Sequence, residues 1–246
     1  MAQRPPPNPT PDQRHLGMLL VISGPSGVGK TTITRALEEH IPQAIFSVSA
    51  TTRPKTDADR EGLDYHFIND AQFDAMIAQG EFLEHAGVFG KRYGTPKAWV
   101  DQRLAEGRLV ILEIDVQGAI NIHKAHPSAM SIFILPPDEQ TLLARLRQRK
   151  REDESTIQRR FGEARREMEI AHTCGVYNAF LVNRDLQATV VQTVALVKAE
   201  WNRRNPQEKQ APLPQTINST PSHHGTNPTP AARQSGEHLD IKYPPP

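Results

Sequence analysis

Eight consecutive residues carry the first recognisable chemistry: Gly24, Pro25, Ser26, Gly27, Val28, Gly29, Lys30 and Thr31. Gly-x-x-x-x-Gly-Lys-Thr is the phosphate-binding P-loop pattern. Glycines let successive backbone N–H groups wrap a phosphate without a Cβ in the way. A helix opening at Thr32 adds the partial positive charge of its N-terminus. Lys30 can reach the β- and γ-phosphates of a nucleoside triphosphate, and the Thr31 hydroxyl can hold Mg2+. Such a loop binds the phosphate donor and leaves the acceptor open.

Further along lie groups suited to a second phosphate. Arg53 and Tyr65 offer a charge and a hydroxyl. Glu84 is an acceptor only when ionised. Guanine presents two adjacent donors where adenine presents neither, so a glutamate would select guanine, and Ser49 could bond O6. The alternative for Glu84 is a solvated strand residue.

These groups need a scaffold. Met18 to Ile22 reads as a buried strand before the loop, and Ile33, Leu37 and Ile41 give the following helix one buried face up to Pro42. Residues 45–95 read as a small, mostly β insertion. Strands are expected at 44–49, 64–68 and 81–89, with a helix after Asn69 or Asp70 that stops at Gly80. Thr95-Pro96 suggests the start of another helix, capped by the Thr95 hydroxyl. Leu109 to Asp115 and Met130 to Leu135 are near-continuous apolar runs, as expected of parallel strands buried on both faces. Helices are expected from 138 to about 150, from 156 to about 173 and from 185 to 204, with a short strand at 180–182. Strands alternating with helices indicate an α/β fold: a P-loop NTPase-like parallel sheet core, a β-rich insertion and a helical lid.

Composition limits the partners. The 246 residues carry a net charge of +1, which offers no general attraction to nucleic acid or to an anionic membrane. One cysteine, Cys174, excludes an intrachain disulfide and suits a reducing compartment, so the cytoplasm is expected. Five of the 21 prolines lie in residues 1–15 and nine in residues 205–246. Both ends are expected to be disordered, leaving one domain at 16–204 with its core at 16–44 and 96–204.

Taken together, Gly24 to Thr31, Ser47-Val-Ser-Ala-Thr-Thr-Arg53, Asp64-Tyr65, Phe82-Leu-Glu84, Tyr93-Gly94-Thr95, Ile114-Asp115-Val-Gln-Gly118, Phe133 to Pro137 and Val182-Asn183 follow the order and spacing of guanylate kinase. The chain resembles that family over roughly residues 16–203. The resemblance implies transfer of the ATP γ-phosphate to GMP or dGMP. It puts the guanine-reading pair on Ser49 and Glu84, the monophosphate groups on Arg53, Tyr65 and Tyr93, and Thr95 near the base. The acidic pair closing the central strand falls on Glu113 and Asp115. Such an acid can hold Mg2+ through water, for which Asp115 is the candidate, or face the base. Asn183 matches a residue near the adenine.

Residues 145–166 are rich in arginine and lysine. One reading is a nucleic-acid patch. The other is a lid that closes over ATP and brings charge to the transferring phosphoryl group. Arg145, Arg149 and Arg160 match the family's lid arginines in spacing, and the absence of interleaved aromatics favours the lid. A guanylate-kinase-like interaction module would lose Lys30 or these arginines, and a kinase for another acceptor would not need Ser49 and Glu84. One position departs from the family: Thr56 stands where a second phosphate-binding arginine is common. Lys55 or Arg60 is expected to supply the missing charge.

Overall fold

A computed structural model describes residues 16–88, 90–148 and 153–206. The expected disorder of residues 1–15 and of most of the tail lies outside the described residues, as does Arg149. The elements run β1 Met18–Ser23, α1 Lys30–His40, β2 Ala44–Phe46, β3 Ala50–Thr51, β4 His66–Phe67, α2 Asp70–Ala78, β5 Phe82–Val88, β6 Lys91–Pro96, α3 Lys97–Ala105, β7 Leu109–Glu113, α4 Val116–Ala125, β8 Met130–Leu135, α5 Glu139–Gln148, α6 Glu154–Thr173, β9 Ala179–Val182 and α7 Leu186–Arg204.

Five strands pair in parallel in the order β2-β7-β1-β8-β9. Alternation explains their apolar runs. Met18, Leu20 and Ile22 of β1 face one core with Ile33 and Leu37 of α1 and Val197 and Trp201 of α7. Leu19 and Val21 face the other, with Val100 of α3 and Ala119 and Ile122 of α4. A strand covered by helices on both sides has no polar face to show.

The second sheet has the order β4-β3-β6-β5 and packs its own small core around Phe73 and Met76. Ala44–Phe46 pairs with β7 in the large sheet, so the second sheet begins at Ala50 rather than near 45. The stretch 47–49 passes between the two sheets instead of extending β2.

Three local features differ from expectation. The helix α4 has no counterpart among the expected elements; Asp115 caps it through the Gly118 N–H at 2.8 Å. Thr95 does not cap α3, because its hydroxyl donates to Glu84 instead. Asn205, placed in the tail by composition, is 5 % exposed and accepts from the Leu16 N–H at 2.7 Å. That bond joins the two ends of the domain, so the fold runs through residue 205. Among the described residues no helix is long and apolar enough to cross a membrane.

Candidate active site

The P-loop leaves β1 at the point where the chain order of the sheet switches between β7 and β8, which is where open α/β sheets bind ligands. Gly24, Gly27 and Gly29 all take positive φ. At Gly24 a Cβ would lie 2.4 Å from the Ile134 carbonyl oxygen, so glycine is required by close approach to β8 as well as by conformation. The Lys30 ammonium donates to the Gly24 and Pro25 carbonyls at 2.7 and 3.3 Å. It is therefore held at the mouth of its own loop.

One cleft of about 500 Å³ gathers most of the expected groups. Gly24, Ser26, Gly27, Gly29, Lys30, Thr31 and Thr32 form one wall. Ser49, Arg53, Tyr65, Glu84 and Tyr93 form the opposite wall, and Glu113 and Asp115 lie between. Arg160 reaches in from α6, where its guanidinium meets the Ser26 hydroxyl. Pro25 and Val28 are buried parts of the loop.

The wall built from the second sheet is set by strand register. Glu84 of β5 stands opposite Thr95 of β6, and the Thr95 hydroxyl donates to Glu84 Oε1 at 2.6 Å. Glu84 is 7 % exposed. Burial pushes its carboxyl up to about 7 against the Thr95 bond, which lowers it, and Asp115 adds a smaller upward push. Thr95 is fully buried behind the carboxylate, so it orients Glu84 rather than lining the cleft. Burial likewise pushes the Tyr65 hydroxyl up to about 12, which keeps it a donor. Its ring meets Tyr93 edge-on at 5.7 Å.

Gly118 belongs to this wall although nothing in its type announces a role. A Cβ there would lie 2.8 Å from Glu84 Oε2 and 3.2 Å from Asp115 Oδ1. Gly118→Ala is expected to displace the Glu84 carboxylate and, for the acceptor GMP expected from the sequence, to lower kcat/KM by at least about tenfold, with KM for ATP unchanged. Steady-state kinetics with each substrate varied separately checks this.

The two strand-end acids have different surroundings. Glu113 accepts from the Thr31 hydroxyl at 3.0 Å and the Thr34 hydroxyl at 3.4 Å, placing it on the donor side. Asp115 spends Oδ1 on the cap of α4, and burial holds its carboxyl above the usual range. Thr31 and Glu113 thus make an oxygen pair suited to a hard divalent cation. Among the described residues no group of three or more His, Cys, Asp or Glu could hold a metal ion.

Asn183, expected near the adenine, is 2 % exposed. Its amide donates to the Val28 carbonyl at 2.7 Å and accepts from the Thr189 hydroxyl at 3.2 Å. It braces the P-loop against α7. Arg145 in turn donates to the Asn183 carbonyl at 3.1 Å, which ties α5 to the same brace. Asn183→Ala removes two buried hydrogen bonds and is expected to cost roughly 1–3 kcal/mol, a fall in Tm of roughly 2–12 °C. KM for ATP should rise with it, and calorimetry beside ATP kinetics measures both.

Glu167 was not anticipated. It lines the cleft near Lys30 and Asp115, and burial pushes its carboxyl up to about 7. The available signal was spacing: Glu167 lies seven residues beyond Arg160 and so shares its face of α6. The exchanged position also has defined partners. Thr56 donates through its N–H and its hydroxyl to Asp59 Oδ2, at 2.8 and 2.6 Å, and Asp59 pairs with Arg53.

Comparison with known proteins fits this geometry. The guanylate kinase family model matches residues 17–200. A guanylate kinase of Anaeromyxobacter dehalogenans is 47 % identical over 189 residues, covering 76 % of this chain and 83 % of that protein. One of Coxiella burnetii is 44 % identical over 192 residues, covering 78 % and 92 %. The crystal structure of guanylate kinase from Anaplasma phagocytophilum superposes with a TM-score of 0.62 at 29 % identity, over 82 % of this chain and 99 % of that one. On these matches the chain belongs to the guanylate kinase family, the ATP:GMP phosphotransferases.

Proposed function

We propose that this chain binds ATP on the P-loop wall and GMP or dGMP on the wall of the second sheet, and transfers the γ-phosphoryl group between them. An oxygen of the acceptor phosphate forms a bond to the γ-phosphorus as the bond from that phosphorus to the β,γ-bridging oxygen breaks. ADP and GDP or dGDP result. The observation that carries this reading is that one cleft holds both the Lys30 ammonium and the buried Glu84 carboxylate.

Each residue has a share in it. Backbone N–H groups from Gly24 to Lys30 cradle the donor phosphates, and Lys30 offsets charge on the moving group. Arg145 and Arg160 bring further charge from the lid, with Arg149 as a third member outside the described residues. Arg53, Tyr65 and Tyr93 hold the acceptor phosphate. Glu84 accepts from guanine N1–H and the 2-amino group, and Ser49 donates to O6. Thr31 and Glu113 would hold the cation, proposed to be Mg2+, directly or through water. When bound, the cation neutralises charge on the β- and γ-phosphate oxygens. Asp115 acts by capping α4, which places Gly118 beneath Glu84. Asn183 serves ATP through the loop it braces. The single cysteine supports a reducing, cytoplasmic setting.

The reading is tested by following ADP formation from ATP with GMP, dGMP, UMP or no acceptor, with and without Mg2+. Turnover is expected with GMP and dGMP only, and only with the metal. No turnover with GMP would overturn it.

A further inference from the structure

Thr56 stands where the resemblance leads one to expect a second phosphate-binding arginine, and its contacts are defined. Arg60 lies beside Asp64: its backbone N–H donates to Asp64 Oδ2 at 2.8 Å, its Nε lies 3.8 Å from the same oxygen, and its side chain is largely exposed. Lys55 is exposed. Thr56 instead directs both of its donors to Asp59 Oδ2. The same carboxylate accepts from Arg53, Nη1 to Oδ2 at 3.0 Å and Nη2 to Oδ1 at 2.9 Å. Four hydrogen bonds from two residues therefore converge on Asp59.

The consequence falls on Arg53. Its Nη1 also donates to the Pro54 carbonyl at 3.1 Å, and the guanidinium carbon lies over the Tyr65 and Phe67 rings at 5.2 and 5.3 Å. The Nη1–Nη2 end of the fork is thus committed to protein, while the Nε–Nη2 edge carries donors that these bonds do not use. Arg53 lines the active-site cleft. Asp59 lines the adjoining cleft of about 700 Å³ beside α1. Asp59 is not among the residues that line the active-site cleft, so the carboxylate grips the arginine from outside that lining. An arginine held this way keeps less rotamer freedom to lose when it meets a phosphate.

We infer that Asp59, clamped by Thr56, is a positioning residue that sets Arg53 to receive the acceptor phosphate on its remaining edge. The inference rests on Arg53 being a ligand of that phosphate. Thr56 replaces a second charge with a firmer hold on the first, and neither Lys55 nor Arg60 is needed to restore it.

The test uses the full chain. GMP and guanosine affinities are measured by calorimetry, and KM for ATP by kinetics, for the wild type, Asp59→Asn, Thr56→Val, Arg53→Ala and the Arg53→Ala/Asp59→Asn double variant. Asp59→Asn is expected to weaken GMP about tenfold, and Thr56→Val about threefold, since it removes one donor of four. Guanosine affinity and KM for ATP should stay within about twofold, because neither involves the acceptor phosphate. In the Arg53→Ala background Asp59→Asn should add nothing.

Unchanged or tighter GMP binding by Asp59→Asn would overturn the inference, as would its full effect persisting without Arg53. If Arg53→Ala weakens GMP and Asp59→Asn does not, the positioning role alone fails. If Arg53→Ala leaves GMP unchanged, the reading of Arg53 fails as well. Should Asp59→Asn also lose guanosine and ATP, it has disturbed the fold, and Thr56→Val decides: no weakening of GMP there overturns the role. A raised KM for GMP in Lys55→Ala or Arg60→Ala would return the missing charge to that residue and overturn the replacement by Thr56.

Discussion

Lys30→Ala is expected to lower kcat for ADP formation by about three orders of magnitude, with the affinity for GMP within about twofold of the wild type. The ammonium is held by two carbonyls of its own loop, so its position is set before any phosphate arrives. Charge placed in advance where charge develops in the transition state needs no reorganisation at the moment of reaction. The substitution also acts on two neighbours. Lys30 opposes the upward push on the Asp115 and Glu167 carboxyls, so losing it should raise both further. Steady-state rates with saturating ATP and GMP measure the effect. A loss of less than about tenfold would reject the role given to Lys30.

Glu84→Gln has the second large effect, and it splits function from stability. An amide offers guanine a donor where the carboxylate offers only acceptors, so at least about a hundredfold loss in kcat/KM for GMP is expected. Stability should move the other way. Burial raises the folded-state carboxyl from 4.5 to about 7, so the folded protein resists ionising it. That penalty is absent below pH 4.5, where folded and unfolded chains both hold the proton. It is complete above about pH 7, where both have lost it, and there it is on the order of 3 kcal/mol. Glutamine carries no charge and can still accept from Thr95. The variant should therefore melt several degrees above the wild type at pH 8, with the gain shrinking as pH falls through 7.

The same group is expected to shape activity against pH. Protonated Glu84 cannot accept both guanine hydrogen bonds, so kcat/KM for GMP should fall as pH drops through about 7. The acceptor phosphate titrates about one unit lower. Burial also pushes the Glu167 carboxyl of the same cleft up to about 7, so only the inflection that disappears in Glu84→Gln belongs to Glu84. A wild-type profile flat from pH 6 to 8 would remove Glu84 from guanine recognition.

The parts of the fold that were legible in the sequence are those whose environment is uniform. β1, β7 and β8 are covered on both faces and read as unbroken apolar runs. The P-loop is legible because its backbone geometry restricts which residues fit. α4 was not, since ten residues with a narrow stripe of Val116, Ala119 and Ile122 look like a loop between two strong strands. Its start signal was Asp115, already spoken for as a site acid. Thr95 shows the converse. A hydroxyl before proline fits a helix cap locally, but strand register sets it opposite Glu84, and a buried carboxylate is the stronger claimant.

In the site, types and spacing named most of the groups that line the cleft but not those that hold them in place. Asn183 was expected near the adenine from the family resemblance alone. Only the fold shows that Val28 lies within 2.7 Å. Glu167 and Gly118 gained their places from helix packing against the cleft, and Thr56 from a turn that no pattern of types specifies.

Specificity is the sharpest consequence of a carboxylate buried opposite a P-loop. With ATP as donor, the ratio of kcat/KM for GMP to that for AMP is the most direct measurement. A site built to receive two donors rejects a base that lacks them, so a ratio of about 10⁴ is expected, collapsing in Glu84→Gln. A wild-type ratio near one would contradict guanine recognition by Glu84 and the division of the cleft into a donor and an acceptor wall.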